Sequence, residues 1–134
     1  MTDLMKVEGI GKVYKEKLKE AGIHSNEDLL AKGATPKGRK ELAETSGIGD
    51  KLILEWVNLV DLFRIDGVGE EYADLLEEAG VDTVVELAQR NPQNLTQKLA
   101  EINTAKNLVN RLPSEKMVED WVAQAKALPR IITY

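Results

Sequence analysis

Two short glycine turns, each placed directly before a helical segment, are the part of this sequence best suited to chemistry, and that chemistry is anion binding. The first is Gly9-Ile10-Gly11 with Lys12 after it, and the second is Gly67-Val68-Gly69 with Glu70 after it. Glycine permits a tight turn, and the helix that follows presents backbone N–H groups that have no partner within the helix. Such groups suit a phosphate, so each turn is a candidate phosphate site.

The charges around the two turns differ in sign. Positions 6–19 carry five lysines and two acids, positions 32–40 carry four bases and no acid, and positions 66–86 carry eight acids and no base. A phosphate at the second turn meets Glu70, Glu71 and Asp74 within one helical turn, so we expect that turn to be degenerate as a binding site. The first turn is either a phosphate site or a purely structural turn. The backbone-binding candidates are Gly9, Ile10, Gly11, Lys12, Lys15, Lys37, Arg39 and Lys40.

Composition excludes most catalytic chemistry. The 134 residues contain no cysteine and one histidine, His24, so thiolate nucleophiles, thiolate-bound zinc and multi-histidine metal sites are excluded. No nucleophile–base pair or metal constellation is visible. We therefore predict a protein that is not an enzyme and has neither a cofactor nor a metal site. His24 lies between two helical segments, which is typical of a polar loop residue; a ligand role is the alternative.

The overall charge and hydropathy bear on partners and location. Lysine and arginine number 18 against 23 aspartate and glutamate, which gives a net charge of −5 and a pI near 5.0. This acidic total disfavours a dedicated high-affinity nucleic-acid binder, because such domains are usually basic. No window approaches the roughly 20 apolar residues of a membrane span, and the first residues lack the apolar core of a signal peptide. We expect a cytoplasmic protein with no membrane contact.

An internal repeat organises the chain. Val7–Gly11 returns as Ile65–Gly69, 58 residues later, and the same offset relates Tyr14 to Tyr72. Matches continue in order towards the carboxyl end, with about eight additional residues in the second copy between positions 101 and 112. So many matches in one order predict two homologous units, at residues 1–63 and 64–134.

Each unit is predicted to be helical. No run alternates apolar and polar residues between turns, as a half-buried strand does. Ser25 and Thr83 each precede an acid three positions on, in the pattern of a capping box, and Thr35-Pro36 and Asn91-Pro92 each place a capping residue before proline. The segment Asp50–Phe63 is apolar around most of its circumference, which is typical of a buried helix. We therefore predict an all-α fold in which two units share one core as one compact domain.

The turns resemble the helix-hairpin-helix motif, an apolar-Gly-apolar-Gly turn before a helix that has a small residue four positions after the second glycine. Gly67-Val68-Gly69 with Ala73 matches this motif, Gly9-Ile10-Gly11 has Lys15 at the small position, and Gly47-Ile48-Gly49 is a third, weaker copy. The whole chain resembles a bacterial family of tandem helix-hairpin-helix proteins that has no assigned function. The resemblance implies that turn amides and a nearby lysine hold a nucleic-acid backbone without reading its sequence.

Two function classes follow. The acidic total and the acidic second hairpin favour a protein-interaction or scaffold module, whose partner the sequence does not name. The alternative is weak, sequence-independent binding of a DNA or RNA backbone through the first hairpin; a small enzyme is the least favoured class. The oppositely charged stretches at 32–40 and 66–86 also predict weak, salt-sensitive self-association. The final residues, 130–134, either fold back onto the core or dock a partner.

Overall fold

The computed structural model describes residues 10–134, and every regular element within that range is a helix. No strand occurs in these residues, so the all-α prediction is confirmed. The helices are α1 (Lys12–Glu20), α2 (Asn26–Gly33), α3 (Pro36–Ser46), α4 (Asp50–Leu62), α5 (Glu70–Glu78), α6 (Val84–Ala88), α7 (Pro92–Lys106) and α8 (Glu115–Ala127).

The helices begin at the capping residues that the sequence indicated. The Ser25 hydroxyl accepts from the backbone N–H of Asp28 at 3.1 Å, and the Asp28 carboxylate accepts from the N–H of His24 at 3.0 Å. A similar exchange at α6 involves Thr83 and Glu86. The bonds to Ser25 and Thr83 satisfy amide groups that a helix start leaves open, which explains why α2 and α6 begin where they do. Side chains also cap α3 and α7, at Thr35 and Asn91.

Contacts within the chain divide it into two compact units, Met1–Asp61 with Ile131–Tyr134 (unit 1) and Leu62–Arg130 (unit 2). The last four residues therefore belong with unit 1. Of the two alternatives for the carboxyl-terminal tail, the structure shows the folded-back one. Ile132 is buried, and the Thr133 N–H donates to the Ala34 carbonyl at 2.8 Å.

Each unit has a tryptophan in its core that packs against a tyrosine. In unit 1, Trp56 of α4 is fully buried, and its ring centroid lies 5.2 Å from that of Tyr14 in an edge-to-face arrangement. In unit 2, Trp121 of α8 is buried, and its ring centroid lies 5.3 Å from that of Tyr72. The recurrence of this aromatic pair shows that the sequence repeat is also a structural repeat.

Helix α4 is buried on several sides, as its apolar sequence predicted. Residues that are less than 5% exposed point in different directions around the helix: Ile53, Trp56, Val57, Leu59, Val60 and Leu62. Asp61, which belongs to the few polar positions of this segment, is buried as well, with an exposed fraction of 2%. The helix ends at Leu62, one residue before the predicted end.

The additional residues of the second copy lengthen α7 and the loop after it. Helix α7 has 15 residues where α3 has 11. It ends at Lys106 and is capped by Asn107, whose φ of 50° is left-handed. The Asn103 side chain accepts from the Val109 N–H at 2.9 Å and donates to the Val109 carbonyl at 3.1 Å. An amide side chain therefore holds this loop, where the first copy has the short turn Gly47-Ile48-Gly49.

A buried amide distinguishes unit 1 from unit 2. Asn26 is 3% exposed, and neither polar atom of its side chain has a hydrogen-bond partner among the described residues. The matching position 58 residues later is Val84, which is fully buried. Both residues follow the capping residue of their helix. Asn26 thus occupies a core position at which the second copy has an apolar side chain.

Replacing Asn26 by valine is expected to raise the free energy of unfolding by about 1–2 kcal/mol, because an unsatisfied buried amide loses its bonds to water without replacing them. Chemical denaturation followed by circular dichroism measures the change. The exposed Asn110→Val variant is the control and should leave the free energy of unfolding nearly unchanged. Equal stability of Asn26→Val and the wild type would contradict the absence of a partner.

Candidate functional site

The start of α1 combines free space, as far as the described residues show it, with a positive charge. Gly11 caps the helix in an extended conformation, without a side-chain cap, and a Cβ added there meets no atom of the described residues within 4 Å. Lys12 is exposed, and the first turn contains no acid. Ile10 is buried, as the motif predicted, whereas Gly9 lies outside the described residues. Among residues 10–134, the start of α1 therefore has free space beside Gly11 and an exposed lysine next to it.

The start of α5 has a similar backbone shape and the opposite charge. The turn Gly67-Val68-Gly69 buries its valine and caps α5 with its last glycine in an extended conformation. Glu70 and Glu71 occupy the first helical turn and are exposed. Carboxylates here stabilise the helix by opposing its dipole, and they repel a phosphate. Gly67 has a φ of +95°, and an added Cβ meets the Trp121 indole nitrogen at 3.1 Å, so this turn serves packing.

The basic candidates of positions 15–40 lie in different environments. Lys15 is half-buried, whereas Lys37 and Lys40 are exposed. Lys32 forms an ion pair with Glu41 at 2.7 Å, and its hydrogen bond and positive charge lower the pKa of the Glu41 carboxyl. The stretch at 32–40 therefore presents less unpaired charge than its composition indicates.

Arg39 has a structural role that the sequence did not predict. It is only 7% exposed. Its Nη1 donates to the Gly33 carbonyl at 2.8 Å, and its Nη2 donates to the Thr133 carbonyl at 2.8 Å. The guanidinium carbon also lies 5.7 Å from the centroid of the Tyr134 ring. Arg39 therefore joins the end of α2 to the carboxyl-terminal tail, with only a small part of its side chain at the surface.

Arg39→Met is expected to loosen the tail, because methionine fills similar apolar space and removes both donors. The variant leaves the carbonyls of Gly33 and Thr133 without their donors, which should lower the free energy of local opening of the tail by about 1–3 kcal/mol. This loss corresponds to an increase of about 5- to 150-fold in the hydrogen-exchange rate of the Thr133 amide. NMR-detected exchange measures that rate. Lys37→Met, which changes an exposed side chain of the same helix, is the control. Unaltered exchange at Thr133 in Arg39→Met would show that the guanidinium does not hold the tail.

A cleft of about 420 Å³ opens in unit 1 beside α3 and α4. Lys40 and Lys51 on its walls are exposed, and neither makes an ion pair with another described residue. The lining residues are Pro36, Arg39, Lys40, Asp50, Lys51 and Leu54. The cleft thus brings two of the basic candidates together with three residues of α4 that the sequence did not single out.

A family model described as a domain of unknown function, DUF4332, matches residues 8–128. The chain belongs to this family. Oxygen-dependent choline dehydrogenases from two strains of Staphylococcus epidermidis are 38% identical to the DUF4332 chain over 69 residues, which cover 50% of this chain and 11% of the enzymes. The chain therefore spans only a small part of the length of these curated relatives. No solved structure matches the chain significantly.

The described part of the DUF4332 chain contains no group of three or more histidine, cysteine, aspartate or glutamate side chains placed to hold a metal ion. His24 is exposed and lies between α1 and α2, as its position in the sequence indicated. Across residues 10–134, none of the helices has the length and apolar character needed to cross a bilayer.

The cleft of the DUF4332 chain could have been predicted in part from the helical periodicity of its lining residues. Pro36, Arg39 and Lys40 lie at positions i, i+3 and i+4 of α3, so they share one face of that helix. Asp50 and Leu54 share a face of α4 for the same reason. Which face of α3 meets which face of α4 depends on packing, and for this reason the turns were found from the sequence and the cleft was not.

Proposed function

We propose that this chain is a non-enzymatic binding module made of two helix-hairpin-helix units, and that it serves as a protein-interaction or scaffold element. Two features of the hairpins support the motif. A buried apolar residue stands directly before each helix-capping glycine, at Ile10 and at Val68. Ala73, the small residue expected four positions after Gly69, is also fully buried.

The exposed acidic start of α5 is the surface that supports the proposed protein-interaction role. Glu70 and Glu71 are exposed, and neither pairs with a cation in the part of the chain that the structure describes. Asp74 follows one turn later. This concentration of negative charge repels a nucleic-acid backbone, which is itself a dense row of negative charges. It attracts a protein partner with a basic contact surface, because complementary charge speeds and orients association.

Charge reversal tests this surface. The amount of partner that binds to the Glu70→Lys/Glu71→Lys variant is expected to be lower than for the wild type by a factor of about ten or more. Each exposed charge contact contributes up to about 1 kcal/mol to binding, and reversing the charge adds repulsion. The measurement is quantitative mass spectrometry of proteins that co-purify with the tagged chain at low salt. The recovered partner is then titrated against both purified chains.

A matched control separates the surface from the net charge. Glu101→Lys/Glu119→Lys changes the charge of the chain by the same amount, at exposed positions of α7 and α8. This variant should retain the partner. Loss of the partner from both variants would show that binding depends on the overall charge. If no protein co-purifies with the wild type in larger amount than with the Glu70→Lys/Glu71→Lys variant, the protein-interaction role is contradicted.

A second candidate function is weak, sequence-independent binding of a DNA or RNA backbone through the first hairpin. It is favoured by specific observations at the start of α1. Within residues 10–134, a Cβ added at Gly11 meets no atom within 4 Å, Lys12 is exposed, and the first turn lacks the acids that occupy the matching turn of α5. Backbone amides and a lysine are contacts that position a phosphate without reading a base.

A further inference from the structure

The cleft beside α3 and α4 is a second place in unit 1 where positive charge and open space coincide. It is separate from the start of α1, because none of its six lining residues comes from that helix. Three of those residues are basic, namely Arg39, Lys40 and Lys51, and one is acidic, Asp50. The wall charge is therefore positive although the chain as a whole is acidic.

The two lysines are available to a ligand. Lys40 and Lys51 are exposed and have no ion-pair partner among the described residues. They come from different helices, α3 and α4, so the cleft presents cations from two walls. Arg39 adds a third cation whose position is fixed, since it is held by the carbonyls of Gly33 and Thr133. Two bonds leave part of its five-donor guanidinium uncommitted.

The remaining walls of the cleft are apolar. Pro36 and Leu54 line it, and neither offers a side-chain hydrogen bond. A volume of about 420 Å³ falls in the range of small-molecule sites, which are largely apolar with a few placed polar groups. A free inorganic ion fills little of this volume. An anionic group joined to a compact organic body matches both kinds of wall.

We propose that this cleft binds a small organic phosphate, with the phosphate between Lys40 and Lys51 and the organic part against Pro36 and Leu54. A phosphate monoester carries the double negative charge and the acceptor oxygens that two lysines recognise from different directions. Asp50 opposes this charge and limits the affinity. The site is independent of the proposed function, since it uses neither the start of α5 nor Lys12.

Adenosine 5′-monophosphate is the probe, titrated into the 15N-labelled full chain at about 50 mM salt and followed by amide chemical shifts. We expect saturable shifts at the amides of Lys40, Asp50, Lys51 and Leu54. Inorganic phosphate should move the same amides with weaker affinity, and adenosine should bind least. Equal affinity for adenosine and its monophosphate would overturn the proposal. A DNA duplex without terminal phosphates is the second comparison. If it saturates the shifts of these amides at a lower concentration than the monophosphate, the cleft is a site for a nucleic-acid backbone, and the proposal is also overturned.

Three variants make the test specific to the cleft. Lys40→Gln/Lys51→Gln should weaken the monophosphate about 25-fold, from about 5-fold for each lysine. Asp50→Asn should strengthen it by about 5-fold on the same scale. Lys19→Gln/Lys98→Gln removes two exposed lysines elsewhere and should leave the affinity unchanged. The double lysine variant could lose affinity by losing its fold. The expected increase in affinity with Asp50→Asn is not open to that explanation, because a damaged site does not gain affinity. Unchanged affinity in both cleft variants would overturn the proposal.

Discussion

Gly38→Ala is expected to lower the melting temperature of unit 1 by about 12 °C or more. Gly38 is a buried residue of α3, and a Cβ at this position lies 1.9 Å from the carbonyl oxygen of Lys32 and 3.2 Å from the Thr35 hydroxyl. Alanine is normally the better helix former by about 1 kcal/mol, but the clash involves the backbone of α2, which cannot move without displacing that helix. Overpacking typically costs about 1–3 kcal/mol, and a clash with backbone that cannot move belongs at the upper end of that range. About 4–8 °C is lost per kcal/mol in a body of this size.

The control for Gly38→Ala is Gly49→Ala, at a glycine of the same unit where an added Cβ meets no atom within 4 Å. This variant should melt close to the wild type. Thermal unfolding by circular dichroism compares the three proteins. Fluorescence of Trp56 in a Trp121→Phe background reports on unit 1 by itself. A Gly38→Ala protein as stable as Gly49→Ala would show that α2 and α3 do not pack as closely as the structure has them.

Lys12→Glu is expected to abolish binding of duplex DNA by the first hairpin, because it places the charge found at Glu70 beside the start of α1. The wild type should bind with a dissociation constant on the order of 10⁻⁴–10⁻⁶ M, as non-specific backbone contacts do. The logarithm of the affinity should fall with that of the salt concentration with a slope of about −2 to −3, if two or three phosphates are neutralised. Fluorescence anisotropy with a short labelled duplex at about 50 mM salt measures both quantities.

The reverse change supplies the control. Glu70→Lys with Glu71→Ala and Asp74→Ala should add DNA binding at α5, because a Cβ at Gly69 meets no described atom within 4 Å and Ala73 is a buried small residue, as in the motif. Failure of both the wild type and this triple variant to bind DNA would remove the nucleic-acid candidate and leave both hairpins as structural turns. That result would leave the proposal for the cleft unaffected, because all residues that line the cleft lie outside α1 and α5.

The local features of this fold were predictable from the sequence because their causes are local. The cap formed by Ser25 and Asp28 spans three positions, and Gly22 after α1 and Gly80 after α5 have left-handed φ values of +89° that glycine adopts readily. Trp56 lies in the segment Asp50–Phe63, whose apolar sequence predicted a buried helix. In each of these cases the sequence within about one helical turn contains the whole physical reason.

The features that the sequence did not reveal depend on residues far apart in the chain. The bond from Arg39 to Thr133 spans 94 positions, so no local pattern of residues indicates that Arg39 holds the tail. Asn26 follows a well-formed capping residue, and nothing in its own neighbourhood indicates that its amide is buried without a partner. Lys51 became a candidate only when the packing of α4 placed it on the same cleft as Lys40.

The return of residues 131–134 to unit 1 has a consequence for the order in which the chain is completed during synthesis. Translation proceeds from the amino end at about 5–20 residues per second, so the first 61 residues leave the ribosome well before the tail that Ala34 and Arg39 hold. Unit 2 is continuous in sequence, whereas unit 1 consists of two segments separated by unit 2. Unit 1 therefore cannot form the contacts of Ala34 and Arg39 with the tail until residues 131–134 have been made.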